Sequence, residues 1–337
     1  MENIRTYFNS GSFERVFRDE RLQTDVVYEG VSFWKDVALR FSQNKGALIG
    51  LILISIITIM AFIGPQMNPH TYKSIKTEHM NLPPRIPVIE KLGILDGEIN
   101  GVNVYKENGF DDVYYWFGTD NLGRDIWTRV WVGTQVSLYI AFLALVIDMV
   151  IGMGYGLISG YVGGRVDIVM QRAIEILSGI PNLVVVTLFV MVLNPGILSI
   201  SLALVITGWI GMSRVVRSQV LKLKELDFIL ASRTLGASTP EIITKDLFPN
   251  IFGQVIVMSM FSIPSSIFYE SFLAFIGLGL QPPMASLGVL INDGYKSILV
   301  YPHIIVAPVI VLGILMLSFN LLADGLRDAL DPKMKAN

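Results

Sequence analysis

The longest charge-free run in this sequence fixes the environment in which the chain can fold. From Ile176 to Ser213 there is no acidic or basic side chain, and most residues are apolar. A membrane-spanning helix needs about 20 mostly apolar residues. The run is too long for one such helix, and Asn194-Pro195-Gly196 divides it by turn chemistry. Charged residues make up only 16% of the chain, against about 25% in soluble domains. The sequence therefore predicts an integral membrane protein.

Apolar segments elsewhere in the chain complete the predicted set of spans. In order, the predicted spans are Ala47–Gly64, Ser137–Ser159, Ile174–Leu193, Ile197–Met212, Ile251–Leu278 and His303–Ala323. In lipid every backbone polar group must be paired within the protein, so such segments form helices. We predict an all-α polytopic membrane protein with about six transmembrane helices.

The positions of lysine and arginine predict the orientation of these spans. Basic residues cluster before the first span, between spans two and three, between spans four and five, and after span six. Placing all four clusters inside puts both termini in the cytoplasm. Arg124 and Arg129 then lie close to span two on the outer side, which violates the rule mildly.

This orientation divides the chain into five predicted regions. They are a cytoplasmic tail (1–45), a first transmembrane helix (46–64), an extracytoplasmic segment (65–132), a five-helix core (133–325) and a cytoplasmic tail (326–337). Within the extracytoplasmic segment, the spacing of apolar residues over Asp120–Val132 predicts an amphipathic helix at the membrane interface. The core includes a cytoplasmic loop over residues 214–250.

Within that loop, the stretch "LASRTLGASTPEIITKDLFPN" (Leu230–Asn250) predicts a helical hairpin. Gly236 provides a turn, and Ser238 to Glu241 match a capping box that starts a second helix. Ile242, Ile243 and Leu247 then form an apolar stripe. Three interpretations are open: a solvated loop, a DNA-binding helix-turn-helix, or a docking element for a cytoplasmic partner. The apolar stripe and the small residues near the turn favour docking, because small side chains allow close approach to a groove.

Four separated stretches resemble those of bacterial ABC-importer permeases, in the branch of the oligopeptide, dipeptide and nickel permeases. The hairpin is similar to the E-A-A…G…L-P loop, with Leu230 in place of its glutamate and Asp227 as the nearest acid. The other three are "FGTDNLGRDIWTRVWVGTQVSL" (Phe117–Leu138), "ESFLAFIGLGLQPPMASLG" (Glu270–Gly288) and "NLLADGLRDALDP" (Asn320–Pro332). The resemblance is to the C-type permease subunit, with the type I importer (MetI-like) fold.

This resemblance implies partners and sites. It implies a heterodimer with a second, similar permease, two cytoplasmic ATP-binding subunits, an extracytoplasmic substrate-binding protein, and a peptide substrate. The ATPase-docking residues that it implies are Leu230, Ala231, Ser232, Gly236, Ala237 and Ser238. It places the chain in a bacterial cell membrane as a multi-pass subunit that forms half of a translocation pathway.

Catalytic chemistry finds no support in the sequence. The chain has no cysteine and no G-x-x-x-x-G-K-[ST] motif for ATP. Its three histidines, His70, His79 and His303, lie outside the spans or at a span end and are interpreted as solvated or interfacial. The net charge of −2 does not favour nucleic-acid binding. We therefore expect no catalytic site, no metal site and no cofactor, and we expect ATP to be hydrolysed in partner subunits.

Polar and helix-breaking residues inside the spans are the candidates for a pathway. A carboxylate near the bilayer centre costs about 2.5–3.5 kcal/mol on insertion scales, so it must face protein or water. Glu270 ranks first, and the breaks at Pro181-Asn182 and Pro264 are further candidates. For Asp148 and Glu175, the simpler interpretation is a hydrogen bond to a neighbouring helix.

The predicted function is the permease subunit of an ATP-driven ABC importer for oligopeptides or dipeptides. Alternatives are an importer of nickel or another small solute, and, from a different class, a stand-alone channel or ion-coupled carrier. A membrane enzyme would need a polar catalytic cluster, and none is visible in the sequence.

Overall fold

A computed structural model describes residues 33–99 and 101–330, and most of this chain is helical. The helices are α1 (Phe33–Gln43), α2 (Lys45–Ile63), α3 (Val104–Glu107), α4 (Ile126–Ile147), α5 (Met153–Val162), α6 (Gly164–Ser178), α7 (Asn182–Leu193), α8 (Ile197–Thr207), α9 (Ile210–Leu223), α10 (Asp227–Thr234), α11 (Thr239–Glu241), α12 (Phe248–Phe275), α13 (Leu287–Lys296) and α14 (His303–Leu330). Two strands, β1 (Glu98–Ile99) and β2 (Val102–Asn103), pair antiparallel. The predicted tails lie mostly outside the described residues.

Within residues 33–99 and 101–330, five continuous helices are long and apolar enough to cross a membrane, and a bent pair makes up to six. The continuous ones are Lys45–Gln66, Ile126–Val162, Ile197–Leu223, Thr239–Phe275 and His303–Leu330. The bent pair is α6 with α7, which meet at 74° where Pro181 stands before the first turn of α7. The prediction of an all-α polytopic protein with about six spans is confirmed.

The second span is much longer than its apolar run indicated. It begins at Ile126 and continues for 37 residues, through a π-helical turn over Asp148–Gly152. The predicted interfacial helix over Asp120–Val132 is wrong in its first half, because the side chain of Asp125 caps the helix by accepting from the Thr128 amide at 2.9 Å. A turn at Gly123, where φ is +69°, precedes this cap. The second half of the predicted helix is the beginning of α4.

The fifth span also differs from the sequence-based expectation. Pro264 was expected to interrupt it, yet α12 continues from Phe248 to Phe275 with Pro264 buried inside it. A proline removes one amide donor, and in a packed membrane helix neighbouring groups satisfy the freed carbonyl. The break expected at Pro181-Asn182 is present between α6 and α7.

Glycines set how closely the spanning helices approach. A side chain at Gly156 or Gly160 of α5 would collide with Val216 or Val220 of α9. Gly50 of α2 likewise lies against the backbone of Ser318 in α14. Without a hydrophobic driving force between helices in lipid, such close van der Waals contact is what holds a bundle together.

The segment between α2 and α4 folds as a small irregular unit outside the bundle. Its core contains Leu82, Tyr105 and Tyr115, and burial raises the pKa of the Tyr115 hydroxyl to about 12. Buried Arg85 donates from Nε to Glu90 Oε2 at 2.8 Å and from a terminal nitrogen to the Asp111 carbonyl at 2.8 Å. The hydrogen bond from Arg85 to Glu90 lowers the pKa of the Glu90 carboxyl. One central arginine therefore ties several loops together.

Orientation can be tested with single cysteines, since the chain has none of its own. We expect Leu92→Cys, in the outer segment, to react with a membrane-impermeant thiol reagent on intact cells. Leu235→Cys, at the tip of the α10–α11 connection, should react only after the cells are permeabilised. Both side chains are strongly exposed in this chain, so in cells that express it without partner subunits the side of the membrane decides whether each cysteine reacts. Labelling in the opposite pattern would invert the predicted topology.

Candidate functional site

The predicted cytoplasmic hairpin is present and sharply turned. It consists of α10, a turn at Gly236 with φ of +86°, α11, and a π-helical turn over Ile242–Leu247 that continues into α12. The predicted capping box is confirmed, with the Ser238 amide donating to Glu241 Oε2 at 2.9 Å. The hairpin is thus joined without a break to a membrane span.

The inner side of the hairpin is fastened to the bundle. Ile229, Ile242 and Leu247 are buried in one apolar core with Val216 and Val220 of α9. The apolar stripe that the sequence offered as a docking feature is therefore used within the chain.

Two polar contacts that sequence reasoning missed hold the hairpin and the end of α9 just before it. Arg233 of α10 donates from Nε to the Tyr161 hydroxyl at 3.2 Å, and its guanidinium lies 4.9 Å from the centre of that ring. Lys224 donates to the Gly160 carbonyl at 3.1 Å. Both partners lie near the end of α5. Movement of the hairpin would therefore be passed to α5 as well as to α12.

The outer side of the hairpin is exposed and apolar. Leu226, Phe228, Leu230 and Leu235 all expose much of their side chains, and Leu235 is 87% exposed. We call these four residues the hairpin's outer face. Water-exposed apolar groups concentrated on one element mark interaction sites.

The predicted docking residues share Leu230 with this face and otherwise lie beside it, within one short stretch. Leu230, Ala231, Gly236 and Ser238 are exposed, whereas Ser232 and Ala237 are half-buried. Ala237 packs against the buried core of the hairpin. ATPase docking by these six residues stays a prediction.

Glu270 lies inside the bundle with 1% of its surface exposed. The Ser271 hydroxyl lies 3.3 Å from its Oε2 and donates to it, while Oε1 has no hydrogen-bond partner in the described part of the chain. Close by is Ser286, which caps the N-terminus of α13 by accepting from the Val289 amide at 3.3 Å. A carboxylate is favourable at a helix N-terminus, where the helix dipole is positive.

The predicted pathway residues do not form one site in this structure. Pro181 and Asn182 are exposed at the bend between α6 and α7, whereas Glu270 and Pro264 are buried in α12. The contribution of these four residues to a pathway stays a prediction.

Asp148 occupies the π-helical turn within the second span. It is buried and accepts a short hydrogen bond from the Ser262 hydroxyl of α12. Ser266 and Gly208 border a small cavity beside it. The prediction that Asp148 bonds to a neighbouring helix is confirmed, and π-turns occur often at functional positions.

A buried ionic cluster on the outer side went unrecognised in the sequence. It consists of Asp120, Arg124, Arg129 and Asp293. Arg124 Nε lies 2.7 Å from Asp120 Oδ2, and its terminal nitrogen lies 3.5 Å from Asp293 Oδ2. Arg129 is fully buried, with Nε 3.5 Å from Asp120 Oδ2 and a terminal nitrogen 3.9 Å from Asp293 Oδ2.

This outer ionic cluster explains the two arginines that violated the charge rule. Each is matched by a carboxylate, so the cluster carries no net charge at neutral pH. The signal that could have revealed it was the pair of unbalanced arginines itself. Asp293 comes from α13, so the cluster joins that helix to α4 and to the loop before it. It borders an outer cavity of about 280 Å³, which Gln281 and Asn292 also line.

Close glycine contacts place α13 against three spans. A side chain at Gly133 of α4 would meet the backbone of Ser286 at about 3.0 Å. Gly288 lies against the backbone of Ser271 in α12, and Gly294 against that of Ile305 in α14. Helix α13 is thus packed into the outer end of the bundle.

A helical bundle with five or six apolar spans, an outer loop unit and a protruding apolar hairpin defines a polytopic membrane subunit. Two family models match this chain. The model "Binding-protein-dependent transport system inner membrane component" covers residues 152–336, and "N-terminal TM domain of oligopeptide transport permease C" covers residues 32–84. The chain belongs to this family of ABC-importer permeases, in its oligopeptide and dipeptide branch.

Relatives of known function support this assignment over nearly the whole chain. The dipeptide transport system permease protein DppC of Bacillus subtilis is 42% identical over 90% of this chain and 87% of its own length. DppC of Lactococcus lactis is 46% identical over 90% and 91%. The oligopeptide transport system permease protein OppC of Bacillus subtilis is 40% identical over 91% and 92%.

The fold also matches a solved structure. The inward-facing MetNI methionine ABC transporter superposes with a TM-score of 0.50 at 17% identity, over 60% of this chain and 96% of that chain. The predicted type I importer permease fold is confirmed. Proteins of this family are bacterial multi-pass transport subunits and are not known as enzymes.

The outer ionic cluster gives a stability prediction. Asp120→Asn leaves Arg124 and Arg129 short of one buried negative charge, and breaking a buried pair costs about 3–5 kcal/mol. We expect a clear loss of thermal stability of the purified protein. Asp112→Asn, an exposed position in the same segment, is the control and should change stability by less than about 0.5 kcal/mol. Equal stability of the two variants would show that the cluster does not hold the outer end.

Glu270→Gln separates assembly from transport. Glu270 has no cationic partner in the described chain, and glutamine keeps its shape, so complex yield should stay close to wild type. The pathway hypothesis then predicts reduced uptake on the same membranes. Glu175→Gln, on the exposed part of α6, is the control for loss of a carboxylate. A strong loss of yield would instead indicate a cation on a partner subunit, and unchanged uptake would exclude an essential charge at Glu270.

Proposed function

We propose that this chain is the permease subunit of an ATP-driven importer of dipeptides or oligopeptides. It would form half of the translocation pathway and pair with a second, similar permease. The relatives named for dipeptide and oligopeptide transport support the substrate class. The observation that carries the coupling role is the hairpin, which is fastened on its inner side and exposed and apolar on its outer side.

The two sides of the hairpin suit the transmission of motion. A docking element must be rigidly attached to the spans that it moves, and Ile229, Ile242 and Leu247 provide that attachment. It must also offer a surface that a partner can bury. Burial of apolar surface favours association, and the outer face supplies such surface at the turn.

Leu230 determines whether this proposed contact is apolar or ionic. The E-A-A loop that this hairpin resembles carries glutamate at this position, whereas Leu230 here is exposed and lies one helical turn from the exposed Leu226. We propose that the contact at this point is apolar rather than ionic. A partner groove that receives it would then be lined by apolar side chains rather than by an arginine or lysine.

The remaining partners follow from the family. Two cytoplasmic ATPases would hydrolyse ATP, since this sequence has no phosphate-binding loop. An extracytoplasmic binding protein would deliver the peptide to the outer side, where the outer cavity and α13 lie. Both termini would be cytoplasmic.

Coupling is tested by a charge on the outer face. We expect Leu235→Glu to lower copurification of the ATPase subunits and ATP-dependent dipeptide uptake by about tenfold or more, because the buried contact would have to hold an unpaired carboxylate. Leu235 is 87% exposed in the isolated chain, so folding and membrane insertion should be unaffected.

Leu299→Glu is the matched control. Leu299 is 96% exposed and follows α13, on the opposite side of the membrane from the hairpin. It should keep ATPase copurification at the wild-type level. If both variants retain full copurification and uptake, the hairpin's outer face is not the coupling surface.

A further inference from the structure

A groove on the hairpin side of the membrane has the form of a lipid site. It lies between the first turns of α12 and the last turns of α14 and has a volume of about 610 Å³. Its lining comes from Gly253, Gln254, Val257, Met258 and Phe261 of α12 and from Arg327 and Leu330 of α14. Neither the coupling hairpin nor the outer cavity shares a residue with it.

The lining combines two polar side chains with a larger apolar part. Gln254 lies near the start of α12 and Arg327 lies in the last turn of α14, with Leu330 beyond it opposite Gly253. Val257, Met258 and Phe261 follow along α12 toward the membrane interior. At 1.5 Å per residue, the stretch from Gly253 to Phe261 extends about 12 Å. A polar end beside an apolar stretch suits a phospholipid, whose charged headgroup lies at the membrane surface and whose acyl chains point inward.

Arg327 provides charge for a phosphate group. It is exposed and forms no ion pair within the described residues. Its neighbour Asp328 is engaged elsewhere, since it accepts from the Asn44 side-chain amide at 3.1 Å. A guanidinium binds phosphate through two parallel hydrogen bonds, which makes arginine well suited to this role. The helix dipole of α14 alone would also favour a basic residue in the last turn. The dipole does not, however, account for the groove next to Arg327.

Gly253 keeps the groove open. A Cβ at this position would meet only the side chain of Leu330, at 3.5 Å or more. A larger side chain would therefore project into the space without a backbone clash. Basic sites between helices on the cytoplasmic side of membrane proteins bind anionic headgroups.

We propose that this groove binds one anionic phospholipid from the adjacent leaflet, with the phosphate at Arg327 and Gln254 and an acyl chain along Val257, Met258 and Phe261. The site does not depend on which solute is transported. It would tie the ends of α12 and α14 to the membrane surface next to the hairpin.

Native mass spectrometry of the purified transporter complex tests the site. After exchange into phosphatidylglycerol or phosphatidylcholine, we expect a retained lipid adduct only with phosphatidylglycerol. Arg327→Gln should weaken retention by about tenfold, the scale of one charged hydrogen-bonded contact. Gly253→Leu should abolish retention while the charge is kept. Arg172→Gln, an exposed arginine on α6, is the matched control and should retain the lipid.

Two further arms distinguish other occupants. Millimolar inorganic phosphate should not displace the adduct, and displacement would assign the site to a soluble phosphate instead. A photoactivatable phosphatidylglycerol should label the peptide that contains Gly253–Phe261. Equal retention of both lipids, equal retention by Arg327→Gln and wild type, or labelling blocked by a partner subunit in the groove would each overturn the proposal.

Discussion

The structure depends on one constraint: in lipid no water is present to pair with backbone amides and carbonyls. Long apolar runs must therefore become helices, and their ends and interruptions need explicit partners. The side chain of Asp125 provides one at the start of the second span, and Ser286 provides another at the start of α13. Glycines such as Gly156 and Gly160 then allow the helices to touch closely enough for van der Waals contact to replace the missing hydrophobic drive.

Charge inside this framework is handled in three different ways. At the outer end, two arginines and two aspartates neutralise one another within the protein. In the middle of the second span, Asp148 has a single side-chain partner among the described residues, a serine hydroxyl from a neighbouring helix. Glu270 lies by the N-terminal end of α13, where the helix dipole supplies partial positive charge. The first arrangement balances full charges, and the other two rely on dipoles and hydroxyl groups.

Local patterns predicted the spans and the hairpin, but they could not predict contacts between distant segments. The spans follow from apolar length, and the hairpin follows from Gly236 and the capping box at Ser238, which are short-range features. The outer ionic cluster needs Asp293, which is 169 positions from Arg124 and shows no local relation to it. Pro264 was misread because its effect depends on what packs around it. The start of the second span was misplaced because the capping by Asp125 outweighed the amphipathic spacing over Asp120–Val132. Which side of the hairpin faces the bundle also depends on tertiary packing.

The π-helical turn at Asp148–Gly152 has a consequence for how one long helix serves two sets of neighbours. A π-turn inserts one residue into the α-helical repeat, and each residue of an α-helix advances the direction of its side chains by about 100°. The side chains that follow the turn are therefore rotated relative to those that precede it. Before the turn, α4 contacts α2, α12 and α13, and after it α5 contacts α9. A single extra residue thus lets a continuous rod present two differently oriented packing surfaces in the two halves of the membrane. Deleting this extra residue would give the two halves of the helix one continuous α-helical register. One of the two interfaces would then be out of alignment.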